Sequence, residues 1–278
     1  MLSIQHAMCL ANHSHDPGSR LIASTLYPDA VRAYSGPRQY SHFEKSEDGS
    51  FSYYMAFPND MHVNKEQIQT RIDDVEPDIS LVRPCAIGEE TDIDAFYRYN
   101  KHLESVMKKG VDYHLHQDMV FDDFIRREID CTDKYDDKFV FNDEQLDGKG
   151  VRKVIGDIEQ HGIYVLAHKL YEEKGITADQ NWLKESIKPA LDAEYSEDLS
   201  DKTFSFMNIN PEINELIKNH DWSKLNDGPL PLSEYEQLYD DVDRAMCDVD
   251  KISNSSGRRL PEYASVVDSS LEYDDMSL

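Results

Sequence analysis

Apolar residues recur at three- and four-residue steps along most of the chain, which is the period of one face of an α-helix. The strongest case runs from Val151 to Lys174, with a predicted buried stripe that includes Val154, Ile158 and Leu170. The same reading predicts further helices at residues 3–12, 17–28, 64–75, 92–107, 111–129, 182–193, 211–218 and 233–252, and a short last one from Pro261.

Two stretches interrupt the helical period. Residues 36–62 contain Gly36-Pro37 and Asp48-Gly49 among many tyrosines and phenylalanines, which predicts an ordered loop or a short hairpin. Residues 130–149 are highly charged and predict an exposed connection. With no internal repeat and no sharp boundary, we predict an all-α, single-domain multi-helix bundle over residues 1–278. Its metal-site half would span about residues 1–175, followed by a helical C-terminal extension of about 176–278.

Composition narrows the classes of partner. The chain has 55 acidic and 29 basic residues, and its net charge of -26 would repel nucleic acid and anionic membrane surfaces. No signal peptide and no run of about 18 apolar residues is visible, so we expect a cytoplasmic protein without membrane insertion. The cysteines Cys9, Cys85, Cys131 and Cys247 lie far apart and predict neither a disulfide framework nor a cysteine zinc site.

One short motif indicates metal chemistry. His114 and Asp118 are four residues apart in a predicted helix, so imidazole and carboxylate lie on one face, one turn apart. Pairs with this spacing bind transition metals, although one such pair is weak evidence. His116 lies about 200° from His114 on the helical wheel, at 100° per residue, and points away.

Other histidines and carboxylates could complete such a site in a helical bundle. Four of them also have a simpler explanation: a buried histidine for His6, a helix cap for Asp29, aromatic stacking for His42 and a solvated charge for Asp157. The sequence alone leaves these alternatives open. The seven candidate metal ligands are His6, Asp29, His42, His114, Asp118, Asp157 and His161.

The order of four segments resembles that in the zinc-dependent phospholipase C superfamily, which includes single-strand-specific zinc nucleases. Within that superfamily, the chain is more similar to the uncharacterised intracellular bacterial members than to the secreted ones. The segments are Ile4 to Ala11, Leu26 to Val31, Tyr40 to Phe43, and Tyr113 to Asp118. The resemblance implies an all-α fold with up to three zinc ions in a cleft, and the free amino terminus as one ligand. It implies that Asp29, His42, His114 and Asp118 hold one zinc, with Asp118 bridging to a second ion that His6 also holds.

The chain departs from that pattern in its middle. Phe124 stands where the family has another histidine, and Asp122 or Asp123 could substitute for it. The family's later histidine and glutamate pair has two counterparts, Asp157 with His161 and His168 with Glu172.

From these residues we expect a metal-dependent phosphoester hydrolase with one to three zinc ions, although manganese, iron or nickel would suit the same ligands. Metal ions would lower the pKa of a bound water, and the resulting hydroxide would attack phosphorus while Asp29, the expected catalytic residue, orients it or acts as base. The expected substrate is a small phosphoester. One alternative is a nucleotide phosphohydrolase that uses His15-Asp16 as ligands. The other is a non-catalytic binding module with one structural metal.

Overall fold

The computed structural model describes residues 1–35, 39–45, 56–68, 90–133 and 138–254, and most of them are helical. The all-α class is therefore confirmed for this part of the chain. Within it the helices are α1 (Ser3–His13), α2 (Ser19–Ser35), α3 (Gln39–His42), α4 (Ile93–Tyr99), α5 (Ser105–Glu128), α6 (Gly148–Lys174), α7 (Gln180–Trp182), α8 (Lys188–Glu194), α9 (Glu197–Ser205), α10 (Pro211–Lys218) and α11 (Leu232–Asn254). Residues 65–68 are also helical, and a π-helical turn, Leu183–Ile187, joins α7 to α8.

Helix α5 forms the centre of the packing. It lies against α2 on one side and α11 on the other, and α1 packs against α2, α6 and α11. Every residue from Ile4 to Ala11 of α1 is buried, including the polar Gln5 and His6. A polar side chain in such a place must find a partner inside the protein, because leaving it without one costs free energy.

Helices α2 and α5 approach each other closely at a glycine. A Cβ on Gly110 of α5 would fall 2.0 Å from Ser24 Oγ and 2.8 Å from the backbone nitrogen of Thr25. No side chain fits there, so Gly110 sets the distance between α2, which carries Asp29, and α5, which carries His114 and Asp118.

Helix α2 differs from its predicted bounds at both ends. It begins at Ser19, two residues after Pro17, and it continues through Pro28 to Ser35. Pro28 removes one helical hydrogen bond, yet the helix is held by packing against α5 and α8. Asp29 is consequently a residue inside a helix and not the cap of a new one.

The charged stretch 130–149, predicted as an exposed connection, instead contains a three-stranded antiparallel sheet, β3 (Asp130–Asp133), β4 (Lys138–Phe141) and β5 (Glu144–Leu146). Phe139 of β4 is fully buried. Asn142 and Asp143 form the two-residue loop between β4 and β5 with φ of 50° and 64°, the backbone that a tight hairpin requires. The prediction failed because this turn dipeptide lies among charged residues that look like a solvated loop.

The predicted helix at residues 92–107 is divided. Helix α4 ends at Tyr99, and α5 begins only at Ser105. The buried side chain of Asn100 lies in the break, where its Oδ1 accepts a hydrogen bond from the backbone nitrogen of Phe57. Short strands β1 (Glu44–Lys45) and β2 (Glu90–Thr91) pair antiparallel nearby.

Helices α6, α10 and α11 fall close to their predicted places, and α9 was not predicted. The helix predicted at 182–193 is divided among the end of α7, the π-helical turn and α8. The predicted last helix from Pro261 and residues 69–75 of another lie outside the described residues. Among the described helices, none combines the length and apolar character needed to cross a membrane. The division into two halves near residue 175 stays a prediction.

Candidate metal centre

Five of the seven predicted ligands meet in the interior. They come from four helices: His6 from α1, Asp29 from α2, His42 from α3, and His114 with Asp118 from α5. The three imidazoles are fully buried, the side chain of Asp118 is 1% exposed, and that of Asp29 is 11% exposed. The structure thus brings together residues up to 112 positions apart.

The inward atoms of these side chains lie at spacings that suit a shared cation. His42 Nε2 is 3.1 Å from His114 Nε2 and 3.3 Å from Asp29 Oδ1. Asp118 Oδ2 is 3.4 Å from His114 Nε2, and Asp118 Oδ1 is 3.3 Å from His6 Nε2. Ligand atoms about 2.0–2.2 Å from a tetrahedral ion would be about 3.3–3.6 Å apart.

The outer nitrogen of His114 is fixed by α2. The carbonyl of Thr25 accepts a hydrogen bond of 2.8 Å from His114 Nδ1. A neutral imidazole that donates from Nδ1 presents the lone pair of Nε2 to the centre, which is the state that binds metal.

The other two histidines are held in the same manner. His6 Nδ1 lies 2.5 Å from Gln117 Oε1, and His42 Nδ1 lies 2.9 Å from Ser41 Oγ. Gln117 is itself fixed, since its Nε2 donates to the sulfur of Met246 on α11 at 3.2 Å. All three imidazoles therefore have an outer partner at Nδ1 and direct Nε2 inward.

One buried ligand atom has no hydrogen bond. His6 Nε2 is buried and, among the described residues, makes none, although Asp118 Oδ1 is 3.3 Å away. The ring of His6 stacks on that of His114, with centroids 3.8 Å apart. A buried polar atom left without a partner is costly, and a cation beside it would remove that cost.

Burial and neighbouring groups shift the pKa values of His6 and Asp29 in the centre. Burial, followed by the nearby His114, lowers the pKa of His6 despite the opposing effect of Asp118. Burial alone would raise the pKa of Asp29, but the hydrogen bond from His42 and the surrounding histidines hold it well below its usual value. Asp29 Oδ2 also accepts a hydrogen bond of 2.7 Å from Ser3 Oγ.

His42 is placed by an unusual backbone turn. The next residue, Phe43, has φ of 56°, in the left-handed region that few bulky residues adopt. Its buried ring packs edge-on against Phe57 and Phe96, with centroids 5.8 and 5.4 Å away. This packing compensates for the backbone strain at Phe43 and lets the chain turn directly after His42. Strained backbone of this kind is often found near functional groups.

Two groups at the centre lie outside the seven candidate residues. The amino group of Met1 is buried, 3.1 Å from Asp118 Oδ1 and 3.9 Å from Glu159 Oε1. The resemblance had implied an amino group as ligand, but nothing in the local pattern indicated Glu159.

The two aspartates that could substitute for the family's further histidine differ in exposure. Asp122, one turn after Asp118, is 7% exposed, whereas Asp123 is 75% exposed beside Arg126.

The structure does not bring Asp157 and His161 to this centre. Asp157 is 55% exposed and pairs with Lys153 Nζ at 3.1 Å. His161 Nε2 donates to the carbonyl of Leu225 at 3.0 Å. Glu159 lies between Asp157 and His161 in sequence, and the packing of α6 directs its side chain toward Met1. The other counterpart pair, His168 and Glu172, is also outside the centre.

Two further positions bear on the alternatives. His15 and Asp16 are exposed and belong to none of the groups of described residues that could hold an ion. Phe124, where the family has a histidine, is buried against Tyr235 with centroids 6.4 Å apart. The chain offers an apolar contact at that position and no ligand.

Two overlapping groups in the centre could hold a metal ion. One consists of Asp29, His42 and His114, and the other of His6, His114 and Asp118. In each group one ligand atom per residue lies within 4.8 Å of the others. His114 belongs to both groups, so the arrangement suits one ion, or two ions close together.

Searches against protein-family models, curated proteins and solved structures found no match for this chain.

Proposed function

We propose that this protein is a metal-dependent hydrolase of small phosphoesters, with zinc as its resident ion. The observation that carries the proposal is the convergence of three histidines and two aspartates in an apolar interior, where His6 Nε2 makes no hydrogen bond to any residue that the structure describes. The buried ammonium of Met1 offsets the charge of Asp118, but His6 Nε2 still has no hydrogen-bond partner among the described residues, and an unpaired buried polar atom is costly. A metal ion would give every inward lone pair a partner.

The two groups suggest how ions would be held. Asp29, His42 and His114 would hold one ion, and His6 with Asp118 a second, and the placement of Asp118 between His6 and His114 supports a bridging role. This division agrees with the one that the resemblance to the zinc-dependent phospholipase C superfamily implies. Membership in that superfamily is part of the proposal.

Charge explains why a phosphoester substrate would need the metal. The centre contains the carboxylates of Asp29 and Asp118, with Glu159 nearby, inside a chain of net charge -26. An anionic substrate would be repelled unless cations offset these charges. Bound zinc supplies a Lewis acid and lowers the pKa of water toward neutrality, which suits hydrolysis at phosphorus.

Asp29 is best placed to act on a substrate. Its side chain is the most exposed of the five, and it accepts a hydrogen bond from Ser3 Oγ. Because its pKa is held well below the usual value, Asp29 stays ionised and orients groups through its oxygens better than it accepts a proton as base. We therefore propose an orienting role for Asp29.

A non-catalytic protein with one structural metal is the second candidate. The buried Phe124 favours it, because the position at which the family has a further ligand is filled by a hydrocarbon ring. The nucleotide phosphohydrolase alternative has weaker support, since His15 and Asp16 are exposed and belong to no ligand group. The expected cytoplasmic location and lack of nucleic-acid binding stay predictions.

The decisive experiment measures metal content and hydrolysis on the same samples. Protein without an affinity tag is analysed for metal per chain and assayed with bis(p-nitrophenyl) phosphate and p-nitrophenyl phosphate. We expect bound zinc and turnover in the wild type, and loss of both in His114→Ala. The exposed His62 provides the matched control, His62→Ala, which should retain both.

Each other outcome has a definite meaning. Bound metal without turnover of either ester, including after zinc addition, would overturn the hydrolase proposal and favour the structural-metal protein. A stably folded wild type that binds no metal would overturn both. Loss of metal in His15→Ala, with His114→Ala unaffected, would instead establish the nucleotide phosphohydrolase ligands.

A further inference from the structure

A second group of ligand-type side chains lies at the far end of α1. His13, the last residue of that helix, faces α11, on which Asp243, Cys247 and Asp250 follow one another at steps of four and three residues. These steps place all three on one face of α11. No part of the centre described above includes them.

His13 lies between two of these carboxylates. Its Nδ1 is 2.7 Å from Asp243 Oδ1, and its Nε2 is 3.0 Å from Asp250 Oδ2. One ligand atom each from His13, Asp243 and Cys247 lies within 4.8 Å of the other two. Imidazole, carboxylate and thiolate are the three side-chain types that bind zinc.

Asp250 is held from its other side and does not need to be a ligand. Its Oδ1 accepts a hydrogen bond of 2.5 Å from Tyr113 OH and lies 2.6 Å from Lys109 Nζ. A carboxylate fixed in this way, bonded to the outer nitrogen of a histidine, is the usual support for a metal-binding imidazole. Asp250 would thus keep the proton on Nε2 and turn the lone pair of Nδ1 toward Asp243. The contact of 2.7 Å between Nδ1 and Asp243 Oδ1 is shorter than the spacing of about 3.3–3.6 Å between two ligands of one ion, so the carboxylate of Asp243 would shift when an ion binds.

We propose that His13 Nδ1, Asp243 and Cys247 Sγ form a second metal site, for one thiophilic divalent ion of the zinc class. Three protein ligands leave a fourth position for water, and the side chain of Asp243 is 44% exposed, so solvent reaches the site. The proposal is independent of the proposed hydrolase activity. It also changes the sequence-based expectation that this chain has no cysteine zinc site.

The competing explanation is a charged imidazolium that bridges Asp243 and Asp250. Both nitrogens of His13 have carboxylate partners at hydrogen-bond distance, so such a bridge would satisfy the histidine without metal. It assigns no role to Cys247. The sulfur therefore distinguishes the two explanations.

Cobalt(II) is the appropriate probe because a cobalt–thiolate bond produces a charge-transfer band in the near ultraviolet. Among the described residues, the ligand groups of the metal centre above contain no cysteine, so cobalt held by those groups does not produce this band. The reduced, metal-free wild type is titrated with cobalt, and the same titration is made with His114→Ala. We expect the band in both, even if His114→Ala loses the cobalt of the first centre.

Variants of the second site are compared with neighbours that leave it intact. Cys247→Ala should abolish the band, and Asp250→Asn should weaken cobalt binding by about tenfold or more. Asp248→Asn is the matched control, because Asp248 is exposed on the same helix and pairs with Lys251. That variant and Cys9→Ala should keep the band.

Absence of the band in the wild type would overturn the proposal and establish the imidazolium bridge. Persistence of the band in Cys247→Ala, or its loss in Cys9→Ala alone, would also overturn it. Far-ultraviolet circular dichroism shows whether a variant that has lost the band is still folded.

Discussion

The Nε2 atoms of His42 and His114 face each other at 3.1 Å, although their helices are separated by more than sixty residues of sequence. Two imidazoles in this position cannot both be protonated on Nε2 without repulsion. The backbone carbonyl of Thr25 already determines that His114 carries its proton on Nδ1. The pair is thus prepared for a cation between them.

The shared position of His114 predicts an unequal response to ligand removal. His114→Ala should eliminate metal from both ligand groups, whereas His6→Ala and His42→Ala should each disturb one group and retain part of the metal. Elemental analysis of the purified variants measures this. Equal losses in all three variants would show that a single ion depends on every ligand.

The outer partner of His6 should control metal affinity without touching the ion. Gln117→Leu leaves His6 Nδ1 without its hydrogen bond and should weaken metal binding by about 10- to 100-fold. Competition with a chromogenic chelator measures the affinity. Gln237→Leu, on the exposed face of α11, is the control, and an equal loss there would indicate a general effect on folding.

The close approach of α2 and α5 should not tolerate a methyl group. Gly110→Ala would force the helices apart at Ser24 and Thr25, and should destabilise the protein by about 1–3 kcal/mol and weaken metal binding through His114. Denaturant unfolding and metal titration measure the two effects. Gly156→Ala, where no atom lies within 4 Å of the new Cβ, should instead stabilise α6 by about 0.5–1 kcal/mol.

Metal should stabilise the fold because the ligands join four helices. Zinc at about 100 times its dissociation constant should contribute about 2.7 kcal/mol, which corresponds to a rise in Tm of about 5–10 °C over the chelated protein. Differential scanning calorimetry measures the shift. The Tm of His114→Ala should not respond to zinc, and a response equal to that of the wild type would place the ion elsewhere.

His161 should affect acid stability and not metal content. Burial lowers its pKa below the ordinary value of 6.5, so as pH falls through that value the unfolded chain takes up a proton before the folded one does. Stability is then lost as pH falls toward the folded pKa, and it is unaffected above 6.5. His161→Gln should reduce this loss and leave bound metal unchanged, as unfolding at two pH values and elemental analysis can show.

The sequence predicted the part of the centre that depends on local geometry. His114 and Asp118 share a helical face because of their spacing, and this face is the same whatever the fold. Asp157 and His161 have the same spacing, yet α6 turns that face away. Packing between segments that are distant in sequence decides which face of a helix points inward. A single sequence does not show these contacts directly.

The remaining differences have similar physical causes. Asp29 was placed near a helix end because Pro28 usually terminates a helix, but packing against α5 keeps α2 intact through it. Glu159 had no motif of its own and reaches the centre only because α6 packs beside α1. The hairpin at Asn142-Asp143 was hidden by the charge of its surroundings.

The burial of α1 on every side should slow both the hydrogen exchange of its amides and the release of an ion bound beside it. A helix whose residues Ile4 to Ala11 are all enclosed can expose its amides only when the surrounding helices separate, so it should rank among the slowest segments in hydrogen exchange. An ion beside His6 would be enclosed by the same barrier. Once bound there, it should leave at a rate set by opening of the protein, so the occupancy of the purified protein would record the metals available while the chain was folding.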